Sequence, residues 1–126
     1  MFCFYIFSFF FLFFKKILIA EAEKKITIVL DAGHGGREVG AVGKISKEKD
    51  INLKVVLEIG KILEKNSNFK VIYTRKEDIF LEQHKRSRIA RSKADIFISI
   101  HCNASVNKNA NGSEIYIMDF GQFKEF

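Results

Sequence analysis

The sequence predicts an α/β domain in which a mostly parallel sheet carries helices on both faces. Three observations lead there. Segments of strand and helical character follow one another in the order β-α-β-α-β-β. The run Asp95–His101 (DIFISIH) is apolar on both faces, as a central parallel strand should be. Heptads and Gly-X-Y repeats are absent, which excludes coiled coil and collagen, and the mixed apolar pattern excludes a wholly disordered chain. A length of 126 residues allows one domain.

The chain opens on an uncharged apolar run, MFCFYIFSFFFLFF, then Lys15-Lys16, Ile17–Ala20 and charged sequence. Fourteen residues are short for a bilayer core, which takes roughly 20. Ala20-Glu21-Ala22 reads as a small-x-small cleavage site, so residues 1–22 are expected to be a secretory signal or an uncleaved anchor. Export to the periplasm or cell envelope follows, with membrane contact only through this segment. Residues 23–126 are then the domain proper.

Each later element has its own signal. Lys25–Asp31 (KITIVLD) alternates, is β-branched and stops at Gly33-His34-Gly35-Gly36, a strand running into a tight turn. Residues 37–47 read as loop. From about Asp50 to Lys65, Ile51, Val55, Ile59 and Ile62–Leu63 recur at helical spacing, with Leu53 and Val56 widening the stripe. Asn66-Ser67-Asn68 ends that helix, and Phe69–Thr74 is a second strand. Leu81–Lys93 is a charged helix, Asp95–His101 the third strand, and Ser113–Met118 (SEIYIM) the fourth. The Lys85, Arg86, Arg88, Arg91, Lys93 run reads as a solvated helix face.

In such sheets the binding crevice lies beyond the carboxyl ends of the strands, where His34 and His101 stand. A dinucleotide fingerprint fails because Glu38 stands where Gly is needed. A Walker loop fails there and again at Ile45. The formal charge of +6 suits a polyanionic partner, but no nucleic-acid module surrounds the basic residues. The surviving constellation is His34, Glu48 and His101: two imidazoles and a carboxylate suit a catalytic zinc with a fourth position open. Strand alternation points Cys102 to the face opposite His101, away from such a site. Asp31 or Asp50 could orient a ligand imidazole from behind. Taken singly, each has a plainer reading: a turn with an incidental His, a surface glutamate, a core histidine.

In series, the residues carry more. Asp31-Ala32-Gly33-His34-Gly35-Gly36, Gly40-Ala41 and Glu48–Leu53 resemble the opening of the zinc-dependent N-acetylmuramoyl-L-alanine amidases. Thr74-Arg75 with Asp78, Arg86 with Ala90, Ala94–Asn103 and Gly112–Tyr116 continue the likeness over roughly residues 25–118. The resemblance implies that His34, Glu48 and His101 bind one Zn2+, that Asn103 contacts substrate, and that the partner is peptidoglycan, its stem peptide and glycan. The reaction implied is hydrolysis of the amide between N-acetylmuramic acid and L-alanine, in cell-wall turnover or daughter-cell separation. Glu38, Arg91 and Cys102 depart from the usual family residues without removing a ligand. The family's general-base glutamate lies on a later strand, so the chain is expected to stop after about four strands without it. Two expectations therefore stand side by side: a zinc amidase, or an inactive remnant that binds zinc and peptidoglycan. Glu114 is a poor replacement for the base, matching a family position without catalytic role.

Overall fold

The computed structural model describes residues 24–102, 104, 105, 107 and 109–117. Its elements, in chain order, are β1 (Ile26–Ala32), α1 (Glu48–Leu63), β2 (Phe69–Tyr73), α2 (Gln83–Lys93) and β3 (Ile96–Ile100). All three strands are parallel in the order β2-β1-β3, with Leu30 of β1 opposite Tyr73 on one side and Ile98 on the other.

Alternation along β1 divides its side chains between the two helices. Ile28, Leu30 and Ala32 meet Val56 of α1 in the main core, joined by Leu53, Ile59, Leu63, Phe69, Val71, Tyr73, Ile98 and Ile100. Val29 and Asp31 point the other way, to the face that α2 covers through its buried Arg86 and Ala90. Helices therefore lie on both faces, as expected. Leu30, Val29 and Val56 are fully enclosed, each worth about 1.5–3 kcal/mol of burial.

The buried face of α1 keeps Leu53, Val56, Ile59 and Leu63 of the stripe that periodicity suggests, but not the whole of it. Ile51, Val55 and Ile62 are partly or largely exposed, whereas Asn52, Val56 and Gly60, four residues apart in turn, face the sheet. Two of those three are not apolar. Gly60 is required because any Cβ there would overlap the Tyr73 ring and hydroxyl, so α1 and β2 approach closely. Asn52 is buried because it serves the carboxyl end of the sheet.

Two other expectations need correcting. Residues 113–117 form no strand, and Ile115, Tyr116 and Ile117 are exposed; Met118 lies outside the described residues. Apolar alternation supplies propensity, but a strand exists only where a neighbour completes its ladder, and among the described residues β3 pairs only with β1. The basic run of α2 is not wholly solvated either, since Arg86 is buried. No helix among the described residues is long and apolar enough to cross a membrane. The 1–22 segment lies outside those residues.

Candidate metal centre

Three segments converge at the carboxyl end of the sheet. His34 follows β1, Glu48 opens α1, and His101 follows β3 directly. His34 Nε2 and His101 Nδ1 each lie 3.2 Å from Glu48 Oε1. The imidazoles meet edge-on, with centroids 5.0 Å apart and planes at 78°. One donor atom from each of the three residues falls within 4.8 Å of the others.

Glu48 is held almost without freedom. Its Oε2 accepts from the Ala41 N–H at 2.8 Å, and its Oε1 accepts from the Cys102 N–H at 2.8 Å, with the Asn52 amide nearby. Burial alone would raise its pKa. The Ala41 and Cys102 N–H groups, the Asn52 amide and the His34 ring outweigh burial and hold it below the usual carboxylate value. A carboxylate in the first turn of a helix also faces the positive end of the helix dipole. The site thus presents a fixed negative charge between two imidazoles.

Glycines make room for this arrangement, for two different reasons. Gly35 and Gly36 have φ of 135° and 56°, and the chain turns there as the Gly-rich run suggests. Gly33 serves another purpose: a Cβ on it would lie 2.6 Å from His101 Nδ1 and nearer still to two other atoms of that ring, so the imidazole packs directly on the glycine backbone. At Gly40 a Cβ would strike both Glu48 Oε2 and the His34 ring.

The turn that carries His34 is held from below by buried polar groups. His34 itself has φ of 60°, the left-handed region that costs a non-glycine residue energy. Arg75 donates to the carbonyls of Ala32, Gly33 and Lys49, and Arg86 to those of Ala32 and His34. Asn52 adds a bond to Gly33 O. Lys49 Nζ reaches Gly36 O at 3.0 Å and Asp78, whose other oxygen accepts from Gly36 N. That lysine contact and the Gly36 N–H hold the Asp78 carboxyl below its usual range. Burial, and then the neighbouring Arg86 charge, lower the Arg75 pKa, with Asp78, Asp31 and Asp50 opposing them. Among the described residues, every buried side-chain nitrogen and oxygen has a partner.

Asp31 does not orient an imidazole. It accepts from Thr74 Oγ1, Arg86 Nη1 and Ser99 Oγ, because alternation turns it to the α2 face. Asp50 is exposed. Cys102 turns its thiol to Asn52 Oδ1 and stays out of the donor group; burial and the Glu48 charge push its pKa up. Glu114 accepts from the Tyr116 hydroxyl and is not part of the donor group. Asn103 lies outside the described residues. The third histidine, His84, pairs with Glu82 at the exposed start of α2. Sequence reasoning left the supports of the centre without a role: Lys49, Asn52, Arg75, Asp78 and Arg86. A signal for two of them exists, because Asn52 stands one helical turn after Glu48, and Arg86 one turn before the small Ala90.

Residues 28–125 match the sequence profile of the N-acetylmuramoyl-L-alanine amidases. The chain belongs to this family. It is 39% identical over 101 residues to N-acetylmuramoyl-L-alanine amidase AmiC of Escherichia coli O6:H1, a match covering 79% of this chain and 24% of AmiC. Among solved structures, the catalytic domain of CwlV, an N-acetylmuramoyl-L-alanine amidase from Bacillus (Paenibacillus) polymyxa, superposes with a TM-score of 0.67 at 41% identity. That match covers 69% of this chain and 50% of CwlV's domain. An N-acetylmuramoyl-L-alanine amidase from Clostridium difficile 630 gives 0.65 at 34% identity, covering 70% and 49%. This amidase-family chain therefore spans about half of these two solved neighbours and a quarter of AmiC.

Proposed function

We propose that this chain binds one zinc ion through His34, Glu48 and His101 and acts in hydrolysing the amide between N-acetylmuramic acid and L-alanine of peptidoglycan. The observation that carries the metal reading is the spacing of the donors. In a tetrahedral site with bonds of about 2.0–2.1 Å, neighbouring ligand atoms stand about 3.3 Å apart. Both histidine nitrogens stand 3.2 Å from Glu48 Oε1. A metal ligand must also be deprotonated, and the lowered pKa of Glu48 meets that condition. Zinc held by these residues would supply a Lewis acid able to polarise an amide carbonyl and to lower the pKa of a water.

The chain's own residues supply placement. The Ala41 and Cys102 N–H groups fix the Glu48 carboxylate, Gly33 leaves the space that the His101 ring fills, and the arginines hold the His34 turn. His34 and His101 remain partly exposed, which leaves them within reach of a polymer. Residues 1–22 fit this substrate as an export signal or anchor, since the wall lies outside the membrane.

A second reading has one observation in its favour: among the described residues, the group at the centre holds His34, Glu48 and His101 and no further carboxylate that could take a proton. On this reading the chain holds zinc and the wall polymer without cleaving it. The test is the full chain incubated with zinc and purified peptidoglycan, with release of stem peptides bearing a free N-terminal alanine as the signal. Release that is lost on adding chelator and in His101→Ala supports hydrolysis. Bound zinc without release selects the second reading. Failure to retain zinc rejects both.

A further inference from the structure

We propose that Arg86 is a positioning residue for the metal centre, holding the His34 backbone in the left-handed conformation that aims its imidazole at Glu48. The inference rests on the zinc reading of the site and adds to it a residue outside the ligand set. His34 is the one non-glycine residue with positive φ among the described residues, at 60°. A residue in that region persists only where its surroundings over-determine it. The bond that does so here comes from Arg86 Nη2, which donates to His34 O at 2.7 Å.

Arg86 is itself fixed from three directions. Its Nη1 donates to Asp31 Oδ1 at 2.7 Å and to Ala32 O at 2.6 Å, and its Nε to Leu81 O at 2.9 Å. Asp31 is anchored in turn by Ser99 Oγ at 2.7 Å and Thr74 Oγ1 at 2.6 Å. Ser99 lies in β3, two residues before His101. The connection Ser99–Asp31–Arg86–His34 therefore ties the strand that delivers one histidine to the turn that carries the other. Only a guanidinium can span these acceptors at once, because its planar fork presents five donors in fixed directions. A lysine would keep the charge beside Asp31 and lose the simultaneous hold on Ala32 and His34.

The test compares the full chain with its Arg86→Lys variant by two readouts. Backbone chemical shifts and couplings report the sign of φ at His34 without metal. Chelator competition then gives zinc affinity. We expect His34 to leave the left-handed region in Arg86→Lys, and zinc affinity to fall about 10- to 100-fold, the usual effect of losing a group that orients a metal ligand. A folded Arg86→Lys chain with positive φ at His34 and unchanged affinity overturns the proposal. Zinc binding by neither protein sinks the metal reading, while the φ readout still decides the role of Arg86. Should Arg86→Lys fail to fold, Ser99→Ala loosens Asp31 from an exposed position without removing a charge. A measurable drop in zinc affinity there supports the connection, and unchanged affinity with unchanged φ overturns it.

Discussion

Replacing Gly33 with alanine separates the geometry of the metal centre from the stability of the fold. The added Cβ would lie 2.6 Å from His101 Nδ1, and nearer still to two other ring atoms, where ordinary contact begins at 3.4 Å. The ring must therefore retreat by about 0.8 Å or more, several times the ~0.2 Å tolerance of a metal–ligand bond. Retreat is cheap for the fold: the obstacle is a half-exposed side chain, and Gly33 is not among the positive-φ residues. Retreat is costly for the metal, because one of three protein donors leaves the site. We expect a loss of zinc affinity of about 100-fold, or ~2.7 kcal/mol, with unfolding free energy changed by less than ~1 kcal/mol. Chelator competition and urea unfolding of the metal-free chain measure the two quantities. Wild-type zinc affinity in Gly33→Ala would refute the reasoning, since His101 could then bind from a position the alanine forbids.

Four further outcomes are expected. Arg86→Met leaves Asp31 without its guanidinium and frees the His34 and Leu81 carbonyls; breaking a buried ion pair of this kind costs about 3–5 kcal/mol, measurable by urea unfolding. Glu48→Gln abolishes zinc binding and costs the metal-free chain about 1–3 kcal/mol, because an amide cannot accept at both oxygens from Ala41 and Cys102. Glu48 and Asp78 are both held below their ordinary values of 4.5 and 3.8, so their stabilisation is present above those values and is lost as pH falls through the lower folded-state values; acid unfolding of Glu48→Gln should lack the Glu48 share. Tyr73, pushed up to about 12 by burial and by its bond to Glu64, contributes stability below pH 10 that disappears as pH rises through about 12. Alkaline unfolding followed by circular dichroism should lose that component in Tyr73→Phe.

Three of the four expected strands, and the meeting of His34, Glu48 and His101 at their carboxyl end, were legible because their signals are local. Alternating β-branched residues ending at a Gly-rich turn place His34, and the third strand delivers His101; parity fails for Cys102, which follows the end of β3 and turns its N–H and thiol to Glu48 and Asn52 of α1 rather than away from them. Glu48 at the start of α1 follows from the helical stripe that begins just after it. What was not legible depends on contacts across the chain. Asn52 and Gly60 join the buried face of α1 for reasons supplied by Gly33 O and Tyr73, which lie 19 and 13 positions away. Arg86 looked like one more cation in a basic helix, and its burial is made favourable by the carboxylate of Asp31 and the carbonyls of Ala32, His34 and Leu81. The apolar 113–118 segment shows the converse failure, since its alternation implies a strand only where a neighbouring edge is at hand.

The claim on which the account turns is that His34, Glu48 and His101 form one metal centre. X-ray absorption at the zinc edge, on the full chain loaded with zinc and passed free of excess metal, tests it most directly. The account predicts one zinc per chain, bound by two imidazole nitrogens and a carboxylate oxygen at about 2.0–2.2 Å, with the signal gone in Glu48→Gln. No retained zinc, or a sulfur neighbour at about 2.3 Å from Cys102, would contradict it.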